Sequence, residues 1–343
     1  MNINEIKQTL KLSDDYSFLR DDLFFRKNMI LLTLGGSHAY GTNIETSDLD
    51  IRGVATNPKR EILLGLDFEQ KVNNATDTTI YSAKKIVSLL TKANPNTLEI
   101  LGCKPEHYLY LSPEGQMLID NRQTFLSKRA IYTFGGYAND QLHRLMNATI
   151  RDQNQDEREK HVLGRIQNAT EHFKRRYCFF DDDNVHLFID ESRKDEFSTE
   201  IYANISLDKY PLRDFTGLIT EMSVIIREYD KVGVRNRKAI THNKLNKHMM
   251  HLVRLYLMCF DILERGEINT YREKDHDLLM DIRNGKYLSE DNQPIPAFME
   301  MVAELESKLD QLAKTTSLPD KPDQDQIDRI LMDICESVLS REI

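Results

Sequence analysis

With 343 residues, 40% of them hydrophobic and 29% charged, the chain has the composition of a globular protein with a sizeable core. Its formal net charge of −9 argues against the class of proteins that coat nucleic acid by bulk attraction. The longest apolar runs, such as Met29–Leu34, are too short to cross a bilayer, and residues 1–16 lack the pattern of a secretory signal. We therefore expect a cytoplasmic protein that does not enter a membrane.

The four cysteines stand singly and far apart in the chain, with no CxxC pair. This spacing argues against a zinc site and against a disulfide framework, and it suits a reducing cytosol. Each cysteine is expected to be a small buried apolar residue.

Strand-like and helix-like stretches alternate over the first third of the chain. Met29–Leu34 is predicted to be a buried strand, 48–55 a strand with period-two alternation, and 77–81 a β-branched strand. Residues 83–93 carry apolar side chains at helical spacing, and the sequence NPN then breaks the chain before a short helix that ends near residue 101.

Helical periodicity dominates from about residue 114 onward. The predicted helices span 114–129, 130–150, 158–177, 218–232, 243–265 and 295–314, and a final helix over 324–340 follows the Pro-rich acidic linker SLPDKPDQD. Residues 181–215 show no clear period and are predicted to form a long loop with one short strand at most. The sequence thus predicts an α+β fold: a small mixed β-sheet core over residues 1–113, followed by a larger all-helical domain over residues 114–343.

A glycine-rich turn follows the first predicted strand. Gly35 and Gly36 let the backbone turn tightly and leave no Cβ in the way of a ligand, and Ser37 can open a short helix that Gly41 ends. The N–H groups at a helix start favour a phosphate, and the Ser37 hydroxyl adds a donor. Taken alone, two glycines after a strand are more often a plain turn.

Two aspartates open the second predicted strand. Residues two apart in a strand share a face, so Asp48 and Asp50 are expected to point the same way, with Arg52 on that face too. Two carboxylates held side by side favour a cation between them, and hard oxygen ligands suit Mg²⁺. Arg52 could pair with an aspartate or contact a phosphate. A bare Asp-x-Asp is usually an ordinary exposed acidic pair, but a strand, a Gly-Gly-Ser helix start and an Asp-x-Asp strand together are far more specific.

The combination LGGSHAYGT…SDLDIRG resembles the signature of the DNA polymerase β-like nucleotidyltransferase superfamily. More closely, it is similar to the RNA-repair, or RNA-ligase-associated, branch found in bacteria and large phages. The stretches DTTIYSAKKIVSLLTKANPNTLEIL, KHMMHLVRLYLMCFDILERGEI and YREKDHDLLMDIRNGKY resemble the same branch. The resemblance implies that residues 1–113 are a nucleotidyltransferase catalytic head.

The resemblance also implies a ligand and a cofactor. Gly35, Gly36 and Ser37 would hold the phosphates of a nucleoside triphosphate, with ATP as the expected one, and Asp48 and Asp50 would bind two Mg²⁺ or Mn²⁺ ions. A third carboxylate on a later strand would complete the metal site and take the attacking hydroxyl's proton. Asp77 is the better candidate because it opens the run DTTIYS, whereas Glu99, in a helical setting, is the alternative and is expected to be structural.

A basic stripe lies on the predicted helix around 243–265. Between residues 227 and 254, eight Lys or Arg stand against two acidic residues. Lys244, Lys247, His251 and Arg254 are spaced three or four apart and so share one helix face. Lys247, His251 and Arg254 are therefore candidate ligands for the triphosphate or for an acceptor strand; an ordinary solvated face is the alternative.

Three further side chains are candidates for contact with a ligand. Tyr40 either stacks on a base or is buried in support of the turn. Arg272 and Arg283 could contact phosphates, and the alternative for Arg283 is a pair with Asp277 or Asp281.

The expected activity is transfer of an NMP from an NTP to an acceptor hydroxyl, with release of pyrophosphate. The resemblance suggests an RNA 3′ end in RNA repair as the acceptor, with an RNA ligase as a partner protein. The alternatives are a protein or small-molecule adenylyltransferase, and a non-catalytic nucleotide-binding regulatory protein.

Overall fold

The computed structural model describes residues 2–149, 185–191, 193, 199–206, 216, 220, 223, 245–290 and 293–341. The predicted helix over 158–177 lies outside these residues, as do most of the predicted helix over 218–232 and part of the predicted loop over 181–215. Among the described helices, none combines the length and the apolar composition needed to span a membrane.

Five strands form one mixed sheet in the order β3-β4-β2-β1-β5. They are β1 (Met29–Leu34), β2 (Ile51–Ala55), β3 (Gln70–Asn73), β4 (Thr78–Ser82) and β5 (Tyr108–Leu111). β2 and β4 are parallel, with Ile51 opposite Thr78, and the other neighbouring pairs are antiparallel. The small mixed sheet, with a helical region after it, confirms the predicted α+β class.

Two of the three predicted strands begin later than expected. The second begins at Ile51 rather than at Asp48, and the third begins at Thr78 rather than at Asp77. Asp77 has a φ of +44°, a left-handed conformation that belongs to a turn. Strands β3 and β5 were not predicted, because both are short edge strands and β3 is largely exposed and polar.

Helices make up most of the remaining described chain. Those before β5 are α1 (Ile3–Leu12), α2 (Ser17–Asp21), α3 (Leu23–Asn28), α4 (Gly36–Tyr40), α5 (Lys59–Leu64), α6 (Ala83–Thr91) and α7 (Pro95–Leu101). Those after β5 are α8 (Pro113–Asp120), α9 (Arg129–Thr149), α10 (Leu245–Arg265), α11 (His276–Arg283), α12 (Pro296–Thr315) and α13 (Gln324–Arg341). Short 3₁₀ turns lie at Asp14–Tyr16, Pro105–His107 and Arg122–Phe125.

Most predicted helix ends in the described region agree with the structure to within about two residues. The exception is the helix predicted over 114–129, because α8 ends at Asp120 and a 3₁₀ turn follows. The Asn121 side chain donates to the carbonyl of Met117 at 2.9 Å. This local hydrogen bond competes with helix continuation, as asparagine side chains commonly do.

Two compact units divide the chain. The first contains Met1–Gln141, Met249–Tyr287 and Ile295–Ile343, and it holds the five-stranded sheet. In this unit a buried cluster joins the N-terminal helices to the sheet through Ile6, Tyr16, Phe25, Leu32, Ile51 and Ile80. The cluster fixes β1 and β2, which are the strands beside the glycine turn and the aspartates. The boundary predicted after residue 113 stays a prediction.

The second unit contains Leu142–His248 and Leu288–Pro294. Its described part includes an antiparallel hairpin of β6 (Val185–Glu191) and β7 (Thr199–Ile205), in which the rings of Phe188 and Tyr202 stack. Both strands fall within the predicted long loop. The alternation of apolar and polar residues in VHLFIDE is a strand signal that the prediction passed over.

Candidate functional site

The glycine turn after β1 lies against the carboxylate of Asp50. Gly36 has a φ of +52°, and a Cβ built on it would lie 1.7 Å from Oδ2 of Asp50. The N–H of Gly35 also donates to the backbone carbonyl of Asp50 at 2.8 Å. Only glycine allows both this backbone conformation and this approach. The predicted turn and one predicted aspartate are therefore side by side.

The helix that starts at this turn is only five residues long and depends on its surroundings. Ala39 and Tyr40 are buried, and the N–H of Arg272 donates to the carbonyl of Tyr40 at 3.1 Å. Gly41, with a φ of +76°, ends the helix, and a Cβ there would meet the Tyr271 ring at 2.4 Å. α4 is thus held from its C-terminal end, and Ser37 lies in its first turn.

Asp48 and Asp50 lie in the loop that leads into β2. Asp48 is exposed, whereas Asp50 is partly buried. Tyr16 is a neighbour of Asp50 that sequence reasoning missed: burial raises its pKa, and the charges of Asp15 and Asp50 raise it further. A tyrosine in a short N-terminal 3₁₀ turn carries no sequence signal that links it to residues 48–50.

Asp77 lies at the same end of the paired strands as Asp50, because Ile51 of β2 pairs in parallel register with Thr78 of β4. Arg52 contacts both carboxylates. Its Nη2 lies 3.9 Å from Oδ1 of Asp50 and 3.4 Å from Oδ1 of Asp77. Its Nη1 donates to the backbone carbonyls of Ile51 and Asp77. The interpretation that Arg52 pairs with an aspartate is confirmed, and Asp77 is a second partner.

The loop before Asp48 is supported by α11. The Nη2 of Arg283 donates to Oγ of Ser47 at 3.1 Å, and the same oxygen accepts from the N–H of Ile44 at 2.9 Å. His38 lies beside this loop, and its pKa is lowered by burial and by the nearby charge of Arg283. Lys286 forms an ion pair with Asp281 at 2.6 Å, and the pairing of Arg283 with Asp277 or Asp281 stays a prediction.

Glu99 and Arg254 form a buried ion pair beneath α4. The Nη1 of Arg254 lies 3.3 Å from Oε2 of Glu99, and Tyr40 donates its hydroxyl to the same carboxylate oxygen. The Arg254 guanidinium stacks 3.5 Å from the centre of the Tyr40 ring, and its Nη2 donates to Nδ1 of His251 at 2.8 Å. Glu99 is therefore structural, as expected. Tyr40 supports the turn from the interior.

The predicted basic stripe on α10 is only partly a surface feature. Arg254 is 1% exposed, so it does not present a solvated charge together with Lys247, which is exposed. His251 is half-buried, with the ring of Tyr137 5.5 Å away. Lys244 lies outside the described residues. The prediction that Arg254 lies on an accessible basic stripe needs correction for a physical reason. Its partner, Glu99, lies 155 residues away in sequence, and helical periodicity cannot reveal so distant a pair.

Arg272 also belongs to an interior network. It is buried and pairs with Asp261 and Asp275, and its Nη1 donates to the carbonyl of Asn269 at 3.2 Å. The expected phosphate contact of Arg272 is therefore not supported, because its donors are used by buried protein acceptors.

The carboxylate oxygens of Asp48, Asp50 and Asp77 are hard ligands of the kind that Mg²⁺ and Mn²⁺ prefer. Among the described residues, no group of three His, Cys, Asp or Glu side chains is arranged to hold a metal ion. Mg²⁺ is commonly held by one or two protein carboxylates, with phosphate oxygens and water completing its shell, so Asp50 and Asp77 fit such an ion in the company of a bound triphosphate. The cation that contacts Asp50 and Asp77 is the guanidinium of Arg52.

Comparisons with known proteins identify one family and one relative. The model of the RlaP family, described as "RNA repair pathway DNA polymerase beta family", matches residues 21–333. The "Uncharacterized 38.9 kDa protein in nrdC-mobD intergenic region" of Enterobacteria phage T4 is 23% identical over 297 residues, which cover 74% of this chain and 81% of that protein. No solved structure matches significantly.

Proposed function

The chain belongs to the RlaP family, the RNA repair pathway DNA polymerase beta family, and on that premise we propose that it transfers a nucleoside monophosphate from an NTP to an RNA 3′ hydroxyl. The hydroxyl oxygen attacks the α-phosphorus, the bond from that phosphorus to the β-phosphate oxygen breaks, and pyrophosphate leaves. ATP is the expected donor. Membership of a polymerase β-like family supports the reaction class, and the family's RNA repair description supports RNA as the acceptor.

One observation carries the proposal at the level of residues: the turn after β1 and the carboxylate before β2 are in contact. The Cβ position of Gly36 coincides with the Asp50 carboxylate, and the Gly35 N–H holds the Asp50 backbone. A phosphate on this turn would therefore lie beside an acidic group and beside Arg52. Phosphoryl transfer consists largely of positioning and charge neutralisation, which is what such a juxtaposition supplies.

The side chains have distinct proposed roles. The Ser37 hydroxyl donates to a phosphate oxygen, and Arg52 offers its guanidinium to the triphosphate. Asp77 takes the proton of the attacking hydroxyl, for which its exposed position at the sheet edge is suitable. Two Mg²⁺ or Mn²⁺ ions stay part of the proposal, with Asp48, Asp50 and Asp77 as their ligands. Lys247 and His251 stay candidates for contact with the triphosphate or the acceptor.

The acceptor distinguishes this proposal from its alternatives. A protein or small-molecule adenylyltransferase would use the same turn and acids with a different hydroxyl. A non-catalytic nucleotide-binding protein would bind the triphosphate without transfer. The contact between Gly36 and Asp50 favours an enzyme over a regulator, because a regulator would need the turn but not the acid beside it.

The test is transfer of label from each of the four α-labelled NTPs, with Mg²⁺ or Mn²⁺ present. One RNA has a free 3′ hydroxyl, and an otherwise identical RNA ends in a 3′ phosphate that blocks attack. The Asp48→Asn/Asp50→Asn variant is compared with Asp320→Asn, which removes an exposed aspartate that pairs with Lys128. We expect labelling of the free RNA by the wild type and by Asp320→Asn alone.

Each other outcome has a defined meaning. Cell protein is added to a parallel reaction. Label on that protein, with none on RNA, would replace the RNA proposal with the adenylyltransferase alternative. Binding of NTP without any transfer would leave the regulatory protein. Equal labelling of both RNAs would show that the 3′ hydroxyl is not the acceptor.

A further inference from the structure

Arg52 occupies a position from which it can contact the acids and the turn alike. Its Nη2 lies within ion-pair distance of Asp50 and Asp77, as described above. The aliphatic part of its side chain lies against the turn, since a Cβ on Gly35 would lie 3.0 Å from Cγ of Arg52 and 3.5 Å from its Nε. The side chains of Arg52 and Asp50 are 19% and 18% exposed, so their attraction is screened less than that of a surface pair.

We propose that Arg52 and a divalent cation are competing partners of Asp50 and Asp77, and that the phosphates of the NTP relieve this competition by giving Arg52 another anion to bind. The inference rests on the proposed function and adds a coupling to it. Metal and nucleotide bind together, and the free metal binds poorly alone.

The competition follows from charge and space. An arginine donates hydrogen bonds and carries a fixed positive charge, so a second cation at the same carboxylates meets direct repulsion. While Arg52 neutralises Asp50 and Asp77, the net charge available to attract a divalent ion is reduced by one. Tyr81 is another titratable group near Arg52: burial raises its pKa, and the charge of Arg52 lowers it by less.

The exchange needs no movement of the sheet. The Arg52 backbone is fixed between β1 and β4 by its register opposite Thr33 and Thr79. Because the aliphatic part of the side chain already lies against Gly35, rotation of the terminal torsions carries the guanidinium from the carboxylates toward the turn. The turn is where the triphosphate is proposed to lie, and Arg–phosphate pairs are strong and geometrically specific.

The competition is tested by Mn²⁺ binding, measured by electron paramagnetic resonance or calorimetry, with and without a non-hydrolysable α,β-imido NTP. We expect the wild type to bind Mn²⁺ roughly tenfold more tightly with the nucleotide than without it. Arg52→Met is expected to bind Mn²⁺ roughly tenfold more tightly than the wild type when no nucleotide is present. Arg52→Lys, which keeps the charge as a mobile point, is expected to lie between them.

The matched control is Lys85→Met. It removes a lysine whose Nζ lies 2.7 Å from Oε2 of Glu69, which is exposed. The Mn²⁺ affinity of Lys85→Met should equal that of the wild type. Thermal melts show whether Arg52→Met is folded, and Arg52→Lys gives the answer if it is not. Equal Mn²⁺ affinity of the wild type and both Arg52 variants without nucleotide would overturn the inference, and so would the failure of every form to bind Mn²⁺.

A parallel assay of RNA labelling keeps the two proposals apart. If Mn²⁺ binding follows the expected order but no label reaches RNA, the competition stands and the proposed function fails. If label reaches RNA but Mn²⁺ binds the wild type and Arg52→Met alike, the proposed function stands and the competition fails.

Discussion

At Gly36 a single added carbon would occupy the space of the Asp50 carboxylate. We predict that Gly36→Ala lowers NMP transfer at least about 100-fold, because displacement of a catalytic group by about 1 Å is enough for such a loss. Gly65→Ala is the control, since Gly65 has a φ of +66° and a Cβ there meets nothing within 4 Å.

Both alanine variants carry the backbone cost of a positive φ, about 1 kcal/mol, and Gly36→Ala adds the steric cost of displacing Asp50, so its melting temperature should fall at least as far as that of Gly65→Ala. Only Gly36→Ala should lose transfer. Comparable transfer by the two variants would show that the contact between Gly36 and Asp50 has no part in the reaction.

Asp77 is the third carboxylate in this account. Its side chain is 61% exposed, so Asp77→Asn should change the free energy of unfolding by less than about 0.5 kcal/mol. We predict that transfer falls about 100-fold or more, because a general base is lost. Single-turnover rates and chemical denaturation measure the two effects separately. A folded Asp77→Asn variant with the wild-type rate would remove Asp77 from the reaction.

Short-range sequence patterns predicted the glycine turn and the aspartate beside it, but they did not predict the ion pair buried beneath the turn. The spacing of Gly36 and Asp50 was sufficient to suggest their proximity, because a strand, a turn and a returning strand leave few arrangements. Arg254 was predicted to contact the triphosphate or an acceptor strand from a basic stripe, because helical spacing records only which residues share a face. The carboxylate that holds it is Glu99, whose distance in sequence hides the pair.

At the level of elements, the short helix α4 is attached to α7 and α10 by the set of Tyr40, Glu99 and Arg254. A buried pair of this kind costs most when it is halved, because the remaining charge is left without its partner. We predict that Glu99→Gln and Arg254→Met each destabilise the protein by about 3 kcal/mol. The double variant should cost less than the sum by about 2 kcal/mol, a coupling that chemical denaturation of all four proteins measures.

Additive costs in that cycle would show that Glu99 and Arg254 act independently. Tyr137→Phe, on the other side of His251, is the control. It keeps the ring and should leave the coupling between Glu99 and Arg254 unchanged.

Helices with a clear periodicity of apolar residues were predicted well. Strands that depend on pairing with a neighbouring strand were not. Helices α9, α10, α12 and α13 agree closely with the periodicity of their apolar residues. The edge strands β3 and β5 pair with neighbours that sequence reading does not see, and neither has a clean alternation of apolar and polar residues. The start of β2 was misplaced because Asp48-Leu49-Asp50 alternates like a strand without being paired as one.

Over the whole molecule, the C-terminal helix α13 is part of the unit that contains the sheet. It packs against α5, α6 and α8, with Ile327, Ile330 and Ile334 buried along one side. Ile334 is fully buried, so we predict that Ile334→Ala costs about 2–5 kcal/mol. Met332→Ala, at a residue 56% exposed, should cost less than about 0.5 kcal/mol.

Chemical denaturation of both variants measures the difference. An equally small cost for Ile334→Ala would mean that α13 contributes little to the stability of the sheet-containing unit. The sequence predicted that α13 exists, because its apolar residues recur at helical spacing. It did not predict where the helix packs, because a linker of polar residues and prolines carries no information about the surface that the following helix meets.

The most direct test of the central claim is the intact mass of an RNA with a free 3′ hydroxyl after incubation with NTPs and a divalent metal. The account predicts that the wild type adds the mass of at least one nucleoside monophosphate, and that Asp48→Asn/Asp50→Asn adds none. An unchanged RNA mass with the wild type, or an equal gain with the double variant, would contradict it.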